Sequence, residues 1–344
     1  MFHYRESKAG KFYLERDPQQ RSSPSEIPPF LRFASRRGVA LDLWKGEGKE
    51  ADPLLASARL DWTVEARDIL APIGHGNRQA TQIRGYRALV RPDTEQVMSV
   101  VTSAYSVAEN EWVVLALERL CQRFGKREPI LAIASFGHDA ERTMFAGFVK
   151  GDQDEALCLL AYNTHGGEGA VRFQLVEVSR SDKSTFVLDS AHASLSIPHV
   201  GRVQDRLMEV SSPDRDETFI ERYLSETTPL WQRLSEALWT SRHTNALIKE
   251  LWGTTPSLTR VAPNGEVHST GEECARHPGH HLTESMKQIS DAASAYVAVC
   301  DWIDNRSEAC ERGDFTKDRD ERLALGAGNR HKQRAWRWIV DKAY

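Results

Sequence analysis

Along residues 86–91 the chain alternates its side chains with a period of two. Tyr86, Ala88 and Val90 project one way and Arg87, Leu89 and Arg91 the other, as an extended strand requires. Arg91-Pro92-Asp93-Thr94 supplies a turn, with proline fixing φ and aspartate able to hydrogen-bond the backbone two residues on. Val97 to Val101 is β-branched enough to return as the partner strand. The period then changes to that of a helix: Trp112/Val113, Ala116/Leu117, Leu120/Cys121 and Phe124 share a face, and Gly125 fits the stop. Asn110 is placed to cap this helix, and Glu111 suits the positive end of its dipole.

Around this unit the pattern extends in both directions. Leu60-Asp61-Trp62-Thr63-Val64-Glu65 reads as a strand with Trp62 and Val64 on one side. The runs Ile130–Phe136, Met144–Val149, Leu157–Tyr162 and Val171–Val178 read as further strands. The loop Asn163-Thr164-His165-Gly166-Gly167-Glu168-Gly169 joins the last two. Beyond Pro198 the periodicity becomes helical over Thr218–Trp239, on towards Trp252, over Thr283–Ile303 and over Asn329–Lys342. Strands first and helices later predict an α+β fold, an antiparallel β-rich core with one backing helix followed by a helical part. The expected division is a mobile basic arm over 1–40, a β-rich core over 41–195 and a mainly helical part over 196–344 packed on that core. The chain is expected to form one globular unit.

Composition narrows the function classes. The 344 residues carry a net charge of −4, with no apolar run near the roughly 18 residues of a membrane span, so a cytoplasmic protein without membrane contact is expected. The charge is uneven. Residues 1–40 hold 8 Lys and Arg against 4 Asp and Glu, residues 319–344 hold 7 against 3, and the middle is left with 30 against 42. Basic ends on an acidic body suit arms for an anionic partner, and equally suit solvated tails. Five widely spread cysteines, an odd number, read as reduced thiols.

Candidate chemistry is sparse. The 166–169 loop runs into a strand and lacks a GKS/T ending, which argues against a phosphate-cradling loop. It reads as a hairpin loop, although Asn163, His165 and Arg172 could present donors to a ligand. Cys274, His277, His280 and His281 resemble half of a zinc site, set against a plain surface loop; no metal and no cofactor are expected. Neither Gly-x-Ser-x-Gly nor HExxH occurs, and nothing points to an enzyme. His192 and His199 flank an apolar segment as core or interface histidines. At the C-terminus, Lys332, Arg334, Trp336 and Arg337 interleave cations with an aromatic, a composition that neutralises phosphates and stacks on bases. The alternative is a helix that docks through Ala335, Trp338 and Ile339.

Several of these segments, in this order, resemble the phage/plasmid-like proteins of domain-of-unknown-function family 932. They are Leu60–Glu65, Gly85–Thr94, Val100–Glu111, Asn163–Gly167, Ser196-Ile197-Pro198-His199, Ala292–Asp304 and Gly328–Ala335. The sequence departs from the family at Val178–Asp182, where members carry an Arg-Val-Val-Cys-x-Asn-Thr stretch. The resemblance implies a mobile-element context, hence DNA replication, recombination or defence, and no particular reaction. The resulting expectation is an accessory protein that binds single-stranded DNA through Arg87, Arg91, His165, Arg172, Lys332, Arg334, Trp336 and Arg337. The alternative is a non-catalytic interaction or assembly protein, self-association included, that touches no nucleic acid.

Overall fold

The computed structural model describes residues 2–6, 12–16, 55, 60–72, 80–124, 130–136, 141–151, 155–167, 169–179, 184–253, 259–261, 267–269, 278–306 and 327–342. Its largest element is an antiparallel sheet. Strands β1 (Phe2–Glu6), β2 (Phe12–Arg16), β6 (Ile130–Phe136), β7 (Arg142–Gly151), β8 (Glu155–Thr164), β9 (Ala170–Ser179) and β10 (Ser184–Phe186) follow in that spatial order. Strand β11 (Ser194–Pro198) also pairs with β9. A separate three-stranded sheet consists of β3 (Glu65–Pro72), β4 (Ala80–Arg91) and β5 (Gln96–Thr102). A short hairpin, β12 (Thr259–Val261) and β13 (Val267–Ser269), lies within the helical part. The helices are α1 (Asn110–Gln122), α2 (Val203–Val210), α3 (Phe219–Glu236), α4 (Ser241–Trp252), α5 (Pro278–Ser285), α6 (Ala292–Asp301) and α7 (Ala327–Lys342). The fold is α+β, as the pattern predicts.

Helix α1 backs the large sheet. Its buried stripe of Val113, Val114, Ala116, Leu117, Leu120 and Cys121 meets the face formed by Phe145, Leu159 and Ala161. Contact is closest at Gly147, where a Cβ would come within 2.7 Å of Cys121 Sγ and 3.1 Å of Leu117 Cδ1. Trp112, expected inside, is only half-buried at the edge of this stripe. Leu120→Ala, at the centre of the stripe, should cost about 2–5 kcal/mol in a denaturant titration. A loss under about 0.5 kcal/mol, typical of surface sites, would mean that this face is not packed.

Three local readings are corrected. Two pieces of the amino-terminal stretch, read as an arm, are strands, with Phe12 and Tyr13 of β2 opposite Ser135 and Ala134 of β6 and β1 outermost. The single helix expected over 283–303 is broken: α5 passes through a 3₁₀ turn at Met286–Gln288, and α6 starts afresh after Asp291, whose carboxylate accepts from Ser294 N at 2.7 Å. Leu60, Trp62 and Val64 are buried in alternation with exposed Asp61 and Thr63, yet pairing begins only at Glu65. Among the described cysteines, Cys121, Cys158 and Cys300 are buried free thiols; Cys274 and Cys310 lie outside the described residues.

Candidate nucleic-acid interface

The small sheet is mounted on the large one through a buried polar joint. Asn110, expected to cap α1, is instead its first residue and turns inward. Its Nδ2 donates to Leu60 O at 3.3 Å, and its Oδ1 accepts from Thr143 Oγ1 at 2.9 Å and from Asn163 Nδ2 at 3.1 Å. Asn163 Nδ2 also reaches Ala108 O at 2.8 Å and His165 Nε2 at 3.2 Å. Because Asn163 Nδ2 offers only donors, Nε2 is the unprotonated nitrogen of His165. Burial first, then electrostatic repulsion from nearby His199 and Arg91, lowers the His165 pKa to about 3, so the ring is neutral at ordinary pH. Glu109, beside Asn110, accepts from Val64 N at 3.3 Å; burial lifts its carboxyl to about 7.

The loop after β8 therefore acts as a docking element. Its backbone oxygens receive the small sheet and its extension: Ser99 Oγ donates to His165 O at 3.1 Å, and Tyr105 Oη donates to Thr164 O at 3.1 Å. Trp62 meets His165 edge-on at 5.1 Å, and Tyr105 stacks on His199 at 4.9 Å. Gly167 has φ +81°, and a Cβ there would sit 3.1 Å from Val101 Cγ1 and 3.2 Å from Ser99 Oγ, so a side chain would be strained and crowded at once.

The eight residues expected to meet nucleic acid do not form one surface. His165 is wholly enclosed in the joint. Lys332 is fully buried, its Nζ 2.6 Å from Asp304 Oδ1, and Trp336 is buried and stacked on Trp231 at 5.7 Å. These three are closed to phosphate or base, because the stripe Lys332, Ala335, Trp336 and Ile339 is the inward face of α7. Arg91 lies over the Trp62 ring at 4.6 Å and holds Asp93, whose carboxyl it keeps below the usual range. Arg334 and Arg337 are exposed but paired with Glu250 at 2.8 Å and Asp189 at 2.7 Å. Arg87 is exposed, 3.9 Å from Asp68, and Arg172 is exposed on β9. Cys274 and His277 lie outside the described residues; His280 and His281 fall within α5, and among the described residues no group of three or more His, Cys, Asp or Glu is placed to hold a metal.

What the sequence reading missed is the outer face of the small sheet. Arg84, Tyr86 and Ala88 share one side of β4; Thr102 and Val100 stand opposite Tyr86 and Ala88 on β5, and Arg67 opposite Ala88 on β3. Tyr86 is 51% exposed and Val100 59%, with Val97 and Leu70 equally open. Arg67 is paired with Glu65 and Glu95, while Arg84 has no acidic partner among the described residues. The alternation of β4 announces a strand with apolar side chains on both faces, but not which face stays uncovered.

No family model, no curated protein and no solved structure matches this chain. Among the described residues no helix is long and apolar enough to cross a membrane.

Proposed function

We propose that the chain is a nucleic-acid-binding accessory protein that takes a single strand on the outer face of the β3–β5 sheet, in keeping with its resemblance to mobile-element proteins. The observation that carries this reading is Tyr86, half-exposed on β4 and on the same face as exposed Arg84. An exposed aromatic offers a stacking surface to any base, and a guanidinium on the same face neutralises phosphate without reading sequence. Thr102 and Ser103 lie beside it, the latter donating to Gly85 O at 3.0 Å, so the platform is a hydrogen-bonded sheet and not a loose loop.

A second reading rests on Leu70, Val97 and Val100, which leave apolar surface open beside an arginine already neutralised by two glutamates. Such a face also suits a protein partner or assembly contact. Fluorescence anisotropy with single-stranded oligonucleotides at several salt concentrations separates the two. On the first reading, Tyr86→Ala loses roughly 1–3 kcal/mol of binding with little change in salt slope. Arg84→Ala flattens the slope of log K against log salt by about 0.7, the value for one single-strand phosphate contact. Failure of the unmodified protein to bind single strands at low salt would remove the nucleic-acid reading and leave the assembly reading.

A further inference from the structure

A cavity of about 250 Å³ opens between the large sheet and α3, apart from the small sheet and its joint. Its sheet wall follows from strand register. Lys150 stands opposite Leu157, Leu157 opposite Glu177, and Glu177 opposite Phe186, so four side chains form one row across β7 to β10. Helix α3 closes the other side with Leu224, Thr227, Thr228 and Trp231, the spacing of a single helical face.

This wall is aromatic and held in place beforehand. Phe186 and Trp231 lie 6.1 Å apart, and Trp231 is backed by Trp336, stacked at 5.7 Å, and by Tyr296, edge-on at 6.2 Å. Lys150 stands at one end of the row, Glu177 in third place and Phe186 at the far end. Lys150 is exposed at one end, with no acidic partner among the described residues. Glu177 is two strands away, roughly 10 Å at the usual strand spacing, and accepts from Tyr223 Oη at 3.0 Å. Leu157 separates them, so the sheet wall offers a cation, an apolar position, a carboxylate acceptor and an aromatic ring in a line, with Trp231 contributed by α3.

We propose that this cavity binds a nucleoside monophosphate, with its phosphate on Lys150, its base against Phe186 and Trp231, and base N–H donors towards Glu177. An uncharged aromatic would leave Lys150 unused, and a bare anion would leave the aromatic wall unused. The inference does not depend on single-strand binding at the small sheet.

The test is calorimetric titration of the full chain with AMP, GMP, CMP and UMP, with adenosine, guanosine and inorganic phosphate as further arms. At least one monophosphate should bind one to one, more tightly than its nucleoside and than inorganic phosphate. Lys150→Ala, at an exposed position, should weaken that monophosphate about tenfold or more, as loss of a charge-assisted phosphate contact does, and leave the nucleoside unchanged. Thr228→Trp, at the exposed rim, should fill the slot and abolish both; if that variant fails to fold, Lys150→Ala decides alone. The proposal is overturned if no monophosphate binds below about 1 mM, if inorganic phosphate binds as well as the nucleotide, or if Lys150→Ala binds like the parent.

Discussion

Replacing Lys332 by alanine should destabilise the protein by about 3–5 kcal/mol, the range for leaving one partner of a buried ion pair uncompensated. Lys332 is fully enclosed, and so is Asp304. The ammonium lies 2.6 Å from Asp304 Oδ1, 2.7 Å from Thr185 O and 2.5 Å from Thr185 Oγ1. Asp304 Oδ2 in turn accepts from Thr185 N at 2.7 Å and Thr185 Oγ1 at 2.9 Å. One closed network thus ties α7, the turn after α6 and β10 together. The alanine variant leaves a carboxylate in the interior with its charge unanswered and two acceptors on Thr185 without the ammonium. Lys332→Met combined with Asp304→Leu should cost less than the sum of the single changes, since the pair leaves together. A denaturant titration of all three variants measures this. A loss below about 0.5 kcal/mol for Lys332→Ala, the usual surface value, would show that the ammonium is solvated after all. Weaker nucleic-acid binding by a Lys332 variant would report unfolding, not a lost phosphate contact.

The same residue shows why part of the site could not be read from sequence. Lys332, Arg334, Trp336 and Arg337 look like a basic-aromatic surface because sequence gives only their neighbours. Lys332 becomes internal because Asp304 and Thr185, far away in sequence, meet it. A local hint was available: Lys332, Ala335, Trp336 and Ile339 have the spacing of one helical stripe, and the whole stripe is inside. Asn110 went astray for the same reason. Local rules favour Asn110 as the cap of α1, but Asn110 is drawn inward by Thr143 and Asn163 and Glu109 takes the cap position without a side-chain cap hydrogen bond. Where local signals act alone, sequence was sufficient. The two-residue period of β4 and β5, the 3.6-residue period of α1 and the Arg91–Thr94 turn are all present, the turn closing with Thr94 N on Arg91 O at 3.3 Å. The break before α6 was also legible, since Asp291 is an ordinary N-cap, but the apolar pattern on either side masks it.

The joint itself invites the sharpest test. Asn163→Asp should cost about 3 kcal/mol or more at pH 7, because it places an unpaired charge in the interior. Asn163 Nδ2 now donates among three acceptors, Ala108 O, Asn110 Oδ1 and the unprotonated His165 Nε2. A carboxylate oxygen there would face Ala108 O and Asn110 Oδ1, which have no hydrogen to share, and could take one only from His165, by a shift of its ring proton to Nε2. The acid must therefore take up a proton in the folded state, or transfer the need to His165, and its folded pKa is raised above the unfolded value. A group raised in this way binds more protons folded than unfolded, so its contribution to stability falls as pH rises. The deficit relative to the parent should accordingly be largest near pH 8 and shrink towards pH 5. The small sheet should feel it first: Ser99 and Tyr105 hold the backbone oxygens of His165 and Thr164, so amide exchange in β4 and β5 should accelerate more than in β8 and β9. A loss below about 0.5 kcal/mol, or a deficit that does not change with pH, would mean that water reaches Asn163 and that the loop after β8 is not the joint on which the small sheet is mounted.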